Sequence, residues 1–295
     1  MLKPPVIIGI GEVLWDIFPT YKRPGGAPAN VVYHASIFGN HGIIASRVGN
    51  DEPGEALRQF FIGKQIDSTY LQISDPYPTG TVEVRMVNDE ASYVIKSPVA
   101  WDFLEFKDSW ARLAREGDAV CFGTLGQRSE TSRRTILEFL DSVTPHCLKI
   151  LDLNLREPFF TKEIIEKSLR YADVLKLNQS EHHLLGTLFS TNHLQHWLFE
   201  KYNIQVICLT KGKNGSELIT RDAHFIEPRH AIDTGKGDSV GVGDAFTAAL
   251  AHQMLRKKPL DQALNSANRY AAHIAAKTGA MPEVSELITQ SIFHD

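Results

Sequence analysis

Six short stretches of the chain are apolar at nearly every position: VIIGIG from Val6, GIIASRVG from Gly42, DAVCFGTL from Asp118, LKILDLN from Leu148, ADVLKLN from Ala172 and QVICLTKG from Gln205. A strand that alternates apolar and polar residues has one wet face, whereas a strand apolar throughout is covered on both, as in the middle of a parallel sheet. The segments 129–143, 161–171 and 191–202 have helical length and charged faces. The pattern therefore predicts an α/β fold, with helices on both sides of a mostly parallel sheet. One region departs from it. TGTVEVRMVNDEASYVIK, from Thr79 to Lys96, alternates with period two around NDE, which predicts a hairpin with one polar face, suited to covering a cleft. No Pro/Gly/Ser-rich linker, low-complexity tract or repeat divides the sequence. The expectation is one domain over residues 1–295, with a small β lid from about 12–25 and 80–101.

Composition narrows the class of partner. The formal net charge of the 295 residues is -4 and no block of lysine or arginine occurs, which argues against nucleic acid and against a membrane surface. There is no apolar run of about 18 residues, and the amino terminus lacks the basic and apolar regions of a leader, so a cytoplasmic protein is expected. Cys121, Cys147 and Cys208 lie in or beside apolar strand-like segments without metal spacing and read as reduced core residues. The 12 histidines show no metal-binding spacing either.

Candidate chemistry concentrates in DTGKGDSVGVGDAF, Asp233 to Phe246. A Gly-X-Gly turn that opens a helix presents backbone N–H groups and the positive end of the helix dipole, a site for an anion such as phosphate. A carboxylate beside it would repel that anion, so it should face another atom, such as a hydroxyl. Two aspartates compete for this position. Asp238 is followed by SVGVG, which cannot start a stable helix; Asp244 is followed by AFTAALAHQML, with a helical stripe of Phe246, Ala249, Leu250 and Met254. The N–H-rich turn thus falls on Gly241, Val242 and Gly243, and Asp244 is the candidate base, its plainer alternative being a helix N-cap. Near the other end, RPGGAPANVVYHASIFG pairs Gly25 and Gly26 with Asn30 at the start of an apolar helical run. Asn30 offers donor and acceptor to a polyol, or is an N-cap. Asp16 in EVLWDIFP can accept from two hydroxyls, or is a solvated residue before a turn. GIGEVL lacks the third glycine of a dinucleotide fingerprint, and no P-loop motif occurs.

GGAPAN and DSVGVGDAF together resemble the two signatures of the PfkB (ribokinase-like) carbohydrate kinases, in the fructokinase-like branch. DLNLR at Asp152–Arg156, KLNQSE at Lys176–Glu181 and LTKGKNGS at Leu209–Ser216 follow in order, and the resemblance runs from Val6 to about Pro282. It implies a ribokinase-like three-layer α/β/α domain that transfers the γ-phosphoryl group of ATP to a small sugar, with Asp244 as base and Gly241, Val242 and Gly243 as anion hole. By resemblance, Asp16, Gly25, Gly26, Asn30 and Arg156 fall at the sugar. Asn178 and Glu181 fall at magnesium and its waters, Thr210 and Gly212 at the nucleotide turn, and Asn268 beside the adenine. Asp238, Ser239 and Gly279 resemble loops that hold a monovalent cation, potassium being the expected one. Ser239, Val240 and Val242 depart from the usual pattern of these signatures. D-Fructose, giving the 6-phosphate or less readily the 1-phosphate, is the implied substrate. 2-Keto-3-deoxygluconate, ribose and nucleosides are alternatives, and a sugar-sensing protein without catalysis is a further one. The expected partners are a small sugar and ATP, with a homodimer the one protein assembly entertained.

Overall fold

The computed structural model describes residues 3–87, 90–230, 237 and 240–293. Its strands are β1 (Val6–Ile10), β2 (Leu14–Ile17), β3 (Lys22–Gly25), β4 (His41–Gly49), β5 (Leu71–Ser74), β6 (Gly80–Val87), β7 (Glu90–Ile95), β8 (Ala119–Phe122), β9 (Leu148–Asp152), β10 (Val174–Asn178), β11 (Val206–Thr210), β12 (Ser216–Ile219) and β13 (His224–Glu227). Its helices are α1 (Ala27–Ile37), α2 (Glu52–Gly63), α3 (Asp108–Glu116), α4 (Glu130–Ser142), α5 (Lys162–Leu169), α6 (Gln179–Leu188), α7 (Leu194–Lys201), α8 (Val242–Leu255), α9 (Leu260–Ala275) and α10 (Glu286–Phe293). All six continuously apolar runs are strands of one nine-stranded sheet, ordered β13-β12-β11-β10-β9-β8-β1-β4-β5. Seven of its strands run parallel, and β12 and β13 turn antiparallel at one edge.

Alternation along these strands feeds two cores. Ile7, Cys121, Ile150, Val174 and Cys208 pack toward α8, α9 and α10. Their neighbours Ile8, Val120, Leu151, Leu175 and Ile207 pack with side chains of α3 to α7 on the other face. Burial on both sides is why the pattern showed no wet face. Helices α8 and α9 meet through buried Ala245, Ala248, Ala249, Ala263 and Ala267, small side chains that let two backbones approach closely. The three cysteines are free and buried, and burial pushes each thiol pKa up, which leaves them inert core residues. No helix among the described residues is long and apolar enough to cross a membrane, and no group of three His, Cys, Asp or Glu side chains among them is placed to hold a metal ion.

The chain leaves the sheet after β1 and after β5 to build a second sheet, ordered β3-β2-β6-β7. Segments 12–25 and 80–101 meet there through the parallel pairing of β2 with β6. Arg128, just before α4, ties the base of this sheet to the core. Its guanidinium donates to both carboxylate oxygens of Asp102 (2.7 and 2.8 Å) and to the Lys96 carbonyl (2.6 Å), and stacks over Trp101 at 3.9 Å.

Candidate active site

A cavity of about 510 Å³ lies between the carboxyl ends of the central strands and the second sheet. That edge is where open parallel sheets hold ligands, because loops and helix starts converge there. Pairing register builds the roof. Arg23 pairs with Asp16, Asp16 with Val82, and Val82 with Ile95, so all four side chains stand on one face of the second sheet. Asp16, Val82 and Ile95 line the cavity. Asp16 is therefore not the solvated residue of the plainer alternative: burial raises its pKa to about 6, against the opposing pull of Arg156 and Arg23.

The floor comes from two helix starts. Helix α1 begins at Ala27, with Gly26 as its N-cap at φ +108°. A side chain at Gly26 would meet the Glu12 carbonyl oxygen at 2.5 Å, so the close approach of loop to strand requires glycine. Asn30 consequently sits one turn inside the helix rather than at its cap, and Asn30 Nδ2 donates to Asp244 Oδ2 at 2.7 Å. Helix α8 begins at Val242 after Gly241, which has φ +74°. Asp244 is the third residue of the helix, not its N-cap, because the left-handed turn at Gly241 brings the chain into the helix with no side-chain cap. The first amides of α8 have no intrahelical acceptor, and they face outward at the positive end of the helix, beside a cavity wall formed by Val240, Gly241 and Asp244. Burial raises the Asp244 pKa to about 6, reinforced by the Asp152 charge and opposed by Lys176, Asn30 and Arg156.

Asp152 and Lys176 belong to DLNLR and KLNQSE, yet motif reading gave neither a role. Lys176 Nζ donates to Asp152 Oδ2 (2.7 Å), which also accepts from Thr247 Oγ1 (3.2 Å). Both partners are buried. Burial works against the Lys176 ammonium, but the Asp152 and Asp244 charges outweigh it and hold its pKa above the usual value. A Cβ at Gly243 would lie 2.8 Å from Lys176 Nζ, so the ammonium stands directly under the first turn of α8. The signal available in the sequence was a charged residue inside an otherwise apolar strand run, twice, in adjacent strands.

Arg156 is exposed at the cavity rim. Gly25 lies beside Asp16, whose Oδ2 would be 2.5 Å from a Cβ there. Asn178 and Glu181 form a capping box at the start of α6. Asn178 Oδ1 accepts from the Glu181 amide (2.9 Å), and Glu181 Oε2 accepts from the Asn178 amide (2.8 Å). Glu181 Oε1 accepts from the Leu155 amide (2.8 Å). Each carboxylate oxygen keeps a second lone pair, and burial raises the Glu181 pKa. Thr210 ends β11 and pairs with Ser216 of β12, and Asn268 of α9 donates to Ser216 Oγ at 2.6 Å. Gly212 turns between those strands at φ +54°. Structure thus brings Asn268 to the Thr210–Gly212 turn, from which it is distant in sequence, through Ser216, which motif reading gave no role. Gly279, at φ +83°, lies against Arg23. Asp238 and Ser239 fall outside the described residues.

A nine-stranded α/β/α sheet of ribokinase-like type, with a base candidate at a glycine-capped helix start, defines a class of kinase. The chain belongs to the pfkB family of carbohydrate kinases, whose family model matches residues 16–287, and is accordingly a phosphotransferase with an alcohol group as acceptor. It is similar to an uncharacterized sugar kinase of Pyrococcus horikoshii at 27% identity, covering 94% of this chain and 93% of that one, with a TM-score of 0.84. That kinase has also been solved in complex with ATP. The Escherichia coli fructokinase is 28% identical over 82% of this chain and 81% of its own length. The aminoimidazole riboside kinase of Salmonella typhimurium is 27% identical over 92% and 89%.

Proposed function

We propose that this sugar kinase transfers the γ-phosphoryl group of ATP to D-fructose, giving fructose 6-phosphate. The observation that carries the reading is the Asn30–Asp244 contact, which joins the first turn of α1 to the first turn of α8 in one cavity. Asp244 removes the proton from the attacking hydroxyl. Its pKa of about 6 places it in the ionised form near neutral pH while keeping it basic enough to accept a proton. Asn30 fixes the carboxylate through Oδ2, and Asp244 lines the cavity. The amides of Gly241, Val242 and Gly243 stabilise the charge that develops on the phosphoryl oxygens. Asp16 and Arg156 hold sugar hydroxyls from roof and rim. The second sheet acts as the lid that excludes water as a competing acceptor.

Thr210, Gly212 and Asn268 would hold the nucleotide. The Glu181 carboxylate, with spare lone pairs, and the buried Asp152 Oδ1, which has no hydrogen-bond partner among the described residues, fit a divalent cation held directly or through water. Magnesium would supply neutralisation of the nucleotide phosphates there. A monovalent cation at Asp238, Ser239 and Gly279 remains part of the proposal on the resemblance alone.

Similarity to the E. coli fructokinase supports fructose, and similarity to the riboside kinase names the strongest rival. An ATP-consumption assay across D-fructose, D-ribose, 2-keto-3-deoxygluconate, adenosine and aminoimidazole riboside tests the assignment. The expected result is highest kcat/KM on D-fructose; faster turnover of either nucleoside overturns it, and no turnover of any sugar would fit the non-catalytic alternative.

The same site fixes the sign of a pH effect. Only the ionised Asp244 accepts the proton, and Asp16 at the sugar has a pKa of about 6 as well, so kcat/KM for the sugar should fall at least about tenfold per pH unit once pH drops below about 6. A rate profile from pH 4.5 to 8.5 measures this, and a rate flat down to pH 5 would argue against Asp244 as the base.

A further inference from the structure

Glu12 follows β1 and lies on the wall of the cavity, 3% exposed. Its Oε1 accepts from the Ala27 amide at 3.2 Å, which holds the GGAPAN loop against the end of β1. Its Oε2 is buried and has no hydrogen-bond partner among the described residues; the turn at Gly126 lies alongside, 3.3 Å from a Cβ built there. A buried carboxyl oxygen left unpaired is costly, and a protein retains one where a ligand group completes it. The surroundings of Glu12 are the Ala27 amide of α1, Asp244 of α8 and Arg156 after β9. Burial is the largest influence on it, and its pKa lies at about 7, so near neutral pH the carboxyl is available both as acceptor and as donor.

We propose that Glu12 is a further substrate-binding residue, whose Oε2 takes a hydrogen bond with one hydroxyl of the sugar while Oε1 keeps the loop in place. It thereby contributes to specificity for the position of that hydroxyl. The inference rests on the sugar-kinase reading of the cavity and on no particular sugar.

The test compares wild type, Glu12→Gln and Glu12→Met on D-fructose and its monodeoxy analogues, with thermal melts to confirm folding. Gln keeps the acceptor toward Ala27 and one polar group toward the sugar; Met fills similar space with neither. Glu12→Met should raise the fructose KM by about tenfold or more, with the KM for ATP unchanged and Glu12→Gln intermediate. Wild type should discriminate against one monodeoxy analogue by a similar factor, and Glu12→Met should lose that discrimination while keeping the others. Equal losses on every analogue, with all discrimination ratios retained, would show that Glu12 acts only through the loop and would overturn the proposal. If Glu12→Met does not fold, the same comparison is read on Glu12→Ala, which also lacks any polar group toward the sugar and where unchanged ratios overturn the proposal equally. A wild type inactive on D-fructose but active on D-ribose sinks the fructose assignment instead, and the Glu12 comparison is then made on monodeoxy riboses.

Discussion

Asp244→Asn should yield a folded protein whose kcat is lower by about 10²–10⁴, the usual contribution of a positioned general base. The variant isolates proton acceptance, because the asparagine carbonyl still accepts from Asn30 Nδ2 and the shape is unchanged. The residue is also not a helix cap, since α8 starts at Val242 behind Gly241, so loss of capping does not confound the result. Stability should hold or rise slightly: burial disfavours the charge at 244, and a neutral amide removes that penalty and the repulsion from Asp152. Single-turnover phosphoryl transfer with a parallel thermal melt checks both halves. A folded variant with near wild-type kcat would remove Asp244 from the chemistry.

Gly241→Ala should damage catalysis through the backbone. At φ +74° a Cβ would stand 2.5 Å from the Ala280 Cβ and 2.6 Å from its Cα. Neither can swing aside as the end of a long side chain could. The left-handed conformation alone costs an L-residue roughly 1–2 kcal/mol, and relief of the clash must shift the first turn of α8 or the chain at Ala280. If the amides of residues 241–243 stabilise the transferring phosphoryl group, their displacement should lower kcat by about 10²–10³, as removal of an oxyanion donor does. A melting temperature lower by several degrees is expected with it. A lower melting temperature with unchanged kcat would mean that this turn serves the fold and not the reaction.

Much of this protein is local in origin. Strands β1, β4, β8, β9, β10 and β11 are legible because both faces are buried, which leaves an uninterrupted apolar run that no loop or surface helix produces. The start of α8 is legible because two glycines precede an alanine-rich stretch of high helix propensity, and that local contrast separates Asp244 from Asp238. Strands β12 and β13 are not legible this way: they are four residues each toward an open edge, with alternate positions half-buried in β12 and exposed in β13, and so lack the continuous apolar run.

The site itself is only half local. Motif spacing marks GGAPAN and VGVGDAF as special, but nothing within either stretch says that Asn30 bonds Asp244 across 214 positions, or that Asp16, Val82 and Ile95 share one face. Those facts follow from strand order and register, which set where each strand end delivers its loop. The same holds for electrostatics. An aspartate in isolation ionises near 4, and burial first, then the Asp152, Lys176, Asn30 and Arg156 groups around residue 244, decide how far it departs. Glu12 and Ser216 read as ordinary polar residues along the chain, Asp152 and Lys176 only as charges in apolar runs, and all four gain meaning when distant segments enclose them. Sequence alone determined the alternation of elements, the position of the glycine turn before α8 and the residue types available for chemistry, because these depend on neighbours within one or two turns. Tertiary structure decided which of those residues face each other, because burial, charge coupling and hydrogen bonds depend on distance in space, and parallel sheets join segments that are far apart in the chain.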